Sequence, residues 1–412
     1  MSTSEIINFG CRLNAYESQA IKQMLAKNNV QNAIVFNTCA VTKEAEKQAR
    51  QQIRKLKREN PDKKIIVTGC AAQVNSAQFE TMSEVDRIIG NSLKHDIDSY
   101  ILIDNIKVKT RDIMQDKKVA ENEIVTNFED KTRAFLQVQN GCDHRCTFCI
   151  IPFGRGNSRS VEPRRVINEV RTMMQNGYKE VVLTGVDATS YGNDFENPIK
   201  LGELCKIILE EFPELPRLRL SSIDVAEIDD DIIDLIANEK RFMPYLHISA
   251  QSGDNLILKR MKRRHTREML IDFCHKMRNL RPEIAFGSDI IAGFPTETDE
   301  MFANTQDMLA QTGMIYNHIF SYSQRDGTPA ARMPQVDYSI RKTRTKQLID
   351  QTAKQLDSFL QTMIGTTQKV LCEYGNTGRC ENFAPVKIVG DYTQGQIVEY
   401  KILGVNNNML IV

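Results

Sequence analysis

Three cysteines stand in one short segment, Cys142-Asp-His-Arg-Cys146-Thr-Phe-Cys149, spaced C-x3-C-x2-C. Three thiolates do not complete the four-ligand shell of a structural zinc ion. A zinc knuckle closed by His144 would want a second ligand pair nearby, and none follows. A four-iron cluster held by three cysteines instead keeps one iron open to a further ligand. A second trio, Cys11, Cys39 and Cys70, is scattered, yet each member ends a strand-like run: Phe9-Gly10-Cys11, Asn37-Thr38-Cys39 and Thr68-Gly69-Cys70. Equivalent placement needs a common cause, and a second cluster with an open iron is the simplest one. The other four of the ten cysteines, Cys205, Cys274, Cys372 and Cys380, share no motif and read as ordinary thiols.

The elements that must carry these residues alternate. Ile6 to Phe9, Ala33 to Phe36 and Lys64 to Thr68 read as strands, with helices from about Ala15 to Lys27 and Lys43 to Glu59 between them. Such βα alternation predicts an open parallel sheet, whose strand ends would gather the three thiolates on one edge. A polar stretch from about Asp104 to Asp130 is expected to be a linker. From Phe135 to about Ser323, six further βα units predict a partial or complete TIM-like βα barrel, with its site at the carboxyl ends of its strands. A helix from about Ser339 to Thr362 leads to a turn-rich segment, Thr366 to Val412, that suits a small antiparallel β-barrel. The expected domains are residues 1–115, 130–362 and 363–412 of an α/β chain.

At 412 residues, two or three domains are the expectation in any case. Hydrophobic residues at 41% and charged residues at 26% exclude a disordered chain. A net charge of +1 means that a nucleic-acid partner would have to be held by local basic patches. Two exist. Lys259 to Arg267 has six Lys or Arg and no acid, including Lys259, Arg260, Lys262, Arg263 and Arg264; Lys43 to Lys64 has nine against four acids. The start of the chain has no basic segment followed by an apolar run, and no stretch is apolar enough to span a membrane, so a cytoplasmic protein with reduced thiols is expected.

The C-x3-C-x2-C segment closely resembles the radical S-adenosylmethionine superfamily. The whole chain resembles one family within it, the methylthiotransferases, through Asn8-Phe-Gly-Cys-Arg-Leu-Asn-Ala-Tyr-Glu-Ser18, Asn37-Thr-Cys-Ala-Val-Thr42, Val67-Thr-Gly-Cys-Ala-Ala-Gln73 and Gly141-Cys142 through Gly156. The order of cluster domain, radical barrel and RNA-binding terminal barrel is also the family's. Within it, Asn37 to Thr42 and Arg155-Gly-Asn-Ser-Arg-Ser160 look most like the branch acting on threonylcarbamoyladenosine at tRNA position 37; other branches act on isopentenyladenosine in tRNA or on an aspartate of a ribosomal protein.

The resemblance implies two 4Fe-4S clusters, one on Cys11, Cys39 and Cys70 and one on Cys142, Cys146 and Cys149, with S-adenosylmethionine bound to the open iron of the latter. It implies that a deoxyadenosyl radical activates C2 of the adenine and that sulfur held on the N-terminal cluster is inserted there. Contacts to S-adenosylmethionine are expected from Phe148, Gly185, Asp187, Ser221, Gln251, Asp289 and Gly293, while no residue is assigned a catalytic role. The implied partners are tRNA and a flavodoxin- or ferredoxin-like electron donor, with the sulfur source open and no membrane. A non-enzymatic electron carrier is the contrasting reading. Such carriers bind each iron by cysteine, against which the open three-cysteine motif counts.

Overall fold

The strands Ala33–Thr38 and Lys64–Gly69 are buried almost along their whole length, because their apolar runs are covered on both faces. With Glu5–Asn8, Arg87–Ile89 and Val108–Lys109 they form a five-stranded parallel sheet in sequence order. Ile21 and Leu25 of the helix Arg12–Lys27 pack on Val35, Ile66 and Ile89 of one face. Ile53 of the helix Lys43–Glu59 packs with Phe36, Val67 and Ile88 on the other. This computed structural model describes residues 4–102, 104–120 and 123–412; the first three residues, and three positions near or within the stretch read as a linker, lie outside the described residues.

The stretch expected to be a linker is not a free tether. Val108–Lys109 closes the edge of the N-terminal sheet, and Val125 and Phe128 are buried in the core of the next unit. That unit is an arc of parallel strands. Ala134–Gln137, Glu180–Thr184 and Arg217–Leu220 pair in one sheet, and Ser222–Ile223, Tyr245–Gln251, Ala285–Ala292 and Tyr316–Ser321 in another. An isolated parallel bridge pairs Leu218 with Phe242, just before the strand Tyr245–Gln251. Among the described residues no pairing links Ala134–Gln137 to Tyr316–Ser321. The N-terminal helix docks on it: Tyr16 and Ala20 enter the barrel core, and the Tyr16 hydroxyl donates to Glu169 Oε1 at 2.9 Å.

The helix Tyr338–Thr362 spans two cores, with Leu348 in that of the barrel and Leu360 in that of the terminal sheet. The terminal six-stranded sheet is antiparallel except for one parallel pair, Pro385–Lys387 with Met409–Ile411. Among the described residues no helix is long and apolar enough to cross a membrane.

Candidate active site

The loop after Ala134–Gln137 is tied on all sides. Gly141 has φ +76°, and a Cβ there would fall 1.8 Å from the Asn157 carbonyl oxygen, so only glycine permits the chain crossing that starts the cysteine segment. Cys142 N–H then donates to Gly156 O at 3.1 Å, Cys149 N–H to Cys146 O at 3.0 Å, and Thr147 N–H to Met261 O at 3.1 Å. Cys142, Cys146 and Cys149 therefore line one cup of about 150 Å³ together with His144, Asp187 and Arg263. Burial, and then neighbouring charge, pushes the Cys142 thiol up and the Cys149 thiol up to about 12. The Arg263 guanidinium opposes this at the rim, donating to Cys146 Sγ at 3.6 Å and pairing with Asp224 at 2.8 Å. Hydrogen bonds to Asp187 at 2.9 Å and Glu227 at 3.2 Å raise His144 to about 10 and commit its Nε2 to the carboxylates at the rim.

The other three cysteines leave the carboxyl ends of adjacent parallel strands. Cys11 caps the helix Arg12–Lys27, Cys39 follows Thr38, and Cys70 opens the short helix Cys70–Val74. Burial and then the charge of Cys70 push Cys39 up to about 12. Arg155, from the short helix Ile151–Arg155 after the other trio, lies near them: its charge and that of Lys94 oppose the burial that raises Cys70. Arg155, six residues after Cys149, thus ties the C-x3-C-x2-C segment to the buried polar network of Glu17, Lys94 and Asn14 beside the other set.

Between the sets lies a cavity of about 480 Å³. Cys11, Arg12, Val41 and Thr42 form its N-terminal wall, and Phe148, Gly185, Ser221, Gln251, Asp289 and Tyr322 are among the residues of its barrel wall. Phe148, Ser222 and Gln251 line both this cavity and the cysteine cup, so the two spaces adjoin. Gln251 is held in the left-handed region, φ 68°, where the strand register shifts. The Ser221 hydroxyl is buried with no hydrogen-bond partner among the described residues. Asp289 lies between His247 at 3.3 Å and His318 at 3.1 Å, which hold its carboxyl well below the usual range against the effect of burial.

Of the residues expected to contact S-adenosylmethionine, five line the cavity, and Asp187 lies in the adjoining cup, where it accepts from Cys142 Sγ at 3.6 Å. Gly293 lines neither: its N–H donates to Glu297 Oε2 at 2.9 Å. The basic run also divides. The helix Asn255–Met261 ends at Lys262 in a left-handed cap, which fans the following side chains apart. Lys259 and Lys262 are exposed, Arg260 donates to Thr296 Oγ1 at 2.7 Å, Arg264 pairs with Glu227, and Arg263 turns inward to Cys146. Arg263 is thus no part of a phosphate-facing surface. Arg12 and His318 were not singled out as site residues, although Arg12 directly follows a proposed ligand.

Residues 136–309 match the Radical SAM superfamily, and residues 3–90 match Uncharacterized protein family UPF0004. The chain is 51% identical over 406 residues to a threonylcarbamoyladenosine tRNA methylthiotransferase of Rickettsia prowazekii, covering 98% of this chain and 96% of that one. It is 31% identical to a tRNA-2-methylthio-N(6)-dimethylallyladenosine synthase of Staphylococcus saprophyticus, covering 99% and 85%. In fold it is similar to the radical S-adenosylmethionine methyltransferase TsrM of Kitasatospora setae, with a TM-score of 0.54 at 13% identity over 80% of this chain and 77% of that one.

Proposed function

The chain belongs to the radical S-adenosylmethionine methylthiotransferases, in the branch of the threonylcarbamoyladenosine tRNA methylthiotransferases, and we propose that it converts threonylcarbamoyladenosine at tRNA position 37 to its 2-methylthio derivative. The observation that carries this reading is a single cavity with Cys11 of one trio in its wall and Phe148 and Gln251, shared with the cup of the other trio, opposite. A base placed there would lie between a site that activates and a site that supplies sulfur.

The cofactors are two 4Fe-4S clusters and S-adenosylmethionine. The residues fit them. Each trio offers soft thiolate donors in threes, and the partnerless Ser221 hydroxyl and the strained Gln251 face the space beside the cup. Cys142, Cys146 and Cys149 would hold one cluster, and Cys11, Cys39 and Cys70 the other. When bound and reduced, the first cluster with S-adenosylmethionine supplies one-electron cleavage of a carbon–sulfur bond, by which a carbon–hydrogen bond is activated. The chain's own part is orientation and exclusion of water. Asp187 holds His144 at 2.9 Å on the cup's rim, Arg263 places positive charge against Cys146, and Val41, Phe148, Ile291 and Phe320 give the cavity apolar walls. Phe148, Gly185, Asp187, Ser221, Gln251 and Asp289 are the proposed contacts to S-adenosylmethionine. A cytoplasmic location and a flavodoxin- or ferredoxin-like reductant complete the reading.

The test is mass spectrometry of nucleosides from tRNA carrying threonylcarbamoyladenosine, incubated with the anaerobically reconstituted, reduced protein and S-adenosylmethionine. A methylthio product is expected. Intact nucleoside together with released deoxyadenosine would keep the radical chemistry and refute the substrate.

A further inference from the structure

The wall of the central cavity includes Arg12, whose guanidinium makes no hydrogen bond or ion pair among the described residues. Asp289 is the only carboxylate among the described lining residues, and two histidines already hold it. The arginines packed near Arg12 have their own partners: Arg219 pairs with Glu180 at 2.8 Å, and Arg133 with Glu373 at 2.9 Å. The Arg12 guanidinium carbon lies 5.8 Å from the centre of the Phe383 ring. A half-buried guanidinium that lines a cavity and holds no protein acceptor is placed to bind an anion that enters there.

The substrate proposed above brings such an anion. A threonylcarbamoyl group ends in a carboxylate, whereas the dimethylallyl group in the name of the 31% identical relative is a hydrocarbon. We propose that Arg12 receives the carboxylate of the threonylcarbamoyl group through charge-assisted hydrogen bonds, and so sets which modified adenosine enters. The inference rests on the substrate reading above. Guanidinium and carboxylate match as a two-pronged pair, and a site that loses its only counter-ion discriminates strongly against a neutral analogue.

The experiment compares two anticodon stem-loops, one carrying threonylcarbamoyladenosine and one in which its carboxylate is a carboxamide. Each is titrated by fluorescence anisotropy against the reconstituted wild-type protein, Arg12→Gln and Arg12→Lys. The wild type should prefer the carboxylate stem-loop by roughly tenfold or more. Arg12→Gln should abolish that preference by weakening the carboxylate stem-loop alone, and Arg12→Lys should keep part of it. Unchanged binding of the carboxamide stem-loop shows that the variant is folded. A preference that survives Arg12→Gln overturns the inference, as does an equal loss for both stem-loops, which would make Arg12 a phosphate contact or a packing residue. A wild type that shows the preference and methylthiolates the carboxylate stem-loop upholds the substrate reading whatever Arg12 does; one that binds both alike and modifies neither refutes that reading, and this inference with it.

Discussion

Arg155 and Glu17 form a two-pronged ion pair, Nη1 to Oε1 at 2.7 Å and Nη2 to Oε2 at 3.1 Å, with both side chains buried. The pair crosses between units: Glu17 lies on the N-terminal helix and Arg155 ends the short helix Ile151–Arg155 after the C-x3-C-x2-C segment. Lys94 reaches the same carboxylate at 2.6 Å, and Arg155 also donates to Asn14 Oδ1 at 2.8 Å. Burial works against the Glu17 charge, yet Arg155 and Lys94 hold its carboxyl well below the usual range. Glu17→Gln would leave two buried cations with one acceptor lost. Breaking such a pair from one side costs about 3–5 kcal/mol, so the melting temperature should fall by several degrees, and Glu17→Gln combined with Arg155→Gln should cost clearly less than the sum of the two single changes. Strict additivity would show that the two residues do not act as a pair.

A second contact between the units is steric. A Cβ on Gly154 would lie 3.3 Å from Cys70 Cβ and 3.4 Å from Val74 Cγ2, while the Gly154 carbonyl accepts from Asn91 Nδ2 at 2.7 Å. Asn91 Nδ2 also lies 3.7 Å from Cys70 Sγ. Gly154→Ala should be mild and Gly154→Val disruptive, by about 1–3 kcal/mol of overpacking. Because the strain falls on Cys70, the valine variant and Cys70→Ala should both lose about half of the iron and keep the spectroscopic signal of the cluster proposed for Cys142, Cys146 and Cys149. Full iron content in Gly154→Val would refute the link; Cys205→Ala, a buried thiol in a helix, serves as the control that should retain all iron.

Cys142, Cys146 and Cys149 are legible from their spacing, and Cys11, Cys39 and Cys70 because each closes a strand-like run whose end can be read from where its apolar residues stop. The strands nevertheless run further than that signal: Asn37 and Thr38 belong to theirs because Asn37 is satisfied by Asn14 and Ser18 and Thr38 by the Thr68 carbonyl. Arg87–Ile89 and Val108–Lys109 escaped notice, being three and two residues long and opening, in the first case, on an arginine whose burial depends on Asp104, 17 positions away. Arg155, Lys94, Arg263 and Arg12 mark the deeper limit. In sequence a charged residue reads as surface, and only tertiary partners reveal that Arg263 turns inward while its neighbours Lys262 and Arg264 do not.

Glu180 lies in the barrel floor with Arg219 at 2.8 Å and Arg217 at 3.3 Å, all three buried. Burial raises its pKa, but Arg219 and then Arg133 outweigh this and bring it from 4.5 to about 2. A depressed carboxyl supplies stability that is fully present above its unfolded value of 4.5 and is lost as the pH falls toward about 2. Glu180→Gln should therefore be markedly less stable than wild type at pH 7, and the gap should narrow below pH 4.5. Urea unfolding of cluster-free protein across that range checks this. A gap independent of pH would mean that the ion pair contributes packing and no charge.

Phosphate contacts make a separate demand, because they add salt dependence without altering the clusters. The helix Lys43–Glu59 begins at Thr42 in the cavity wall and carries Lys43, Lys47 and Arg54 exposed, while Lys259 and Lys262 are exposed beyond the cysteine cup. If these meet the tRNA backbone, affinity falls steeply with salt, and each contact removed lowers the slope of log affinity against log salt by about 0.7–0.9. Lys259→Ala with Lys262→Ala should thus reduce the slope by between one and two contacts' worth, weaken modified and unmodified tRNA alike, and leave the iron content unchanged. Arg263→Ala should do the reverse, altering the spectrum of the cluster assigned to Cys146 with little change in the salt slope, since its guanidinium faces Cys146 and Asp224. A slope unchanged in the lysine pair would place the tRNA backbone elsewhere on the surface.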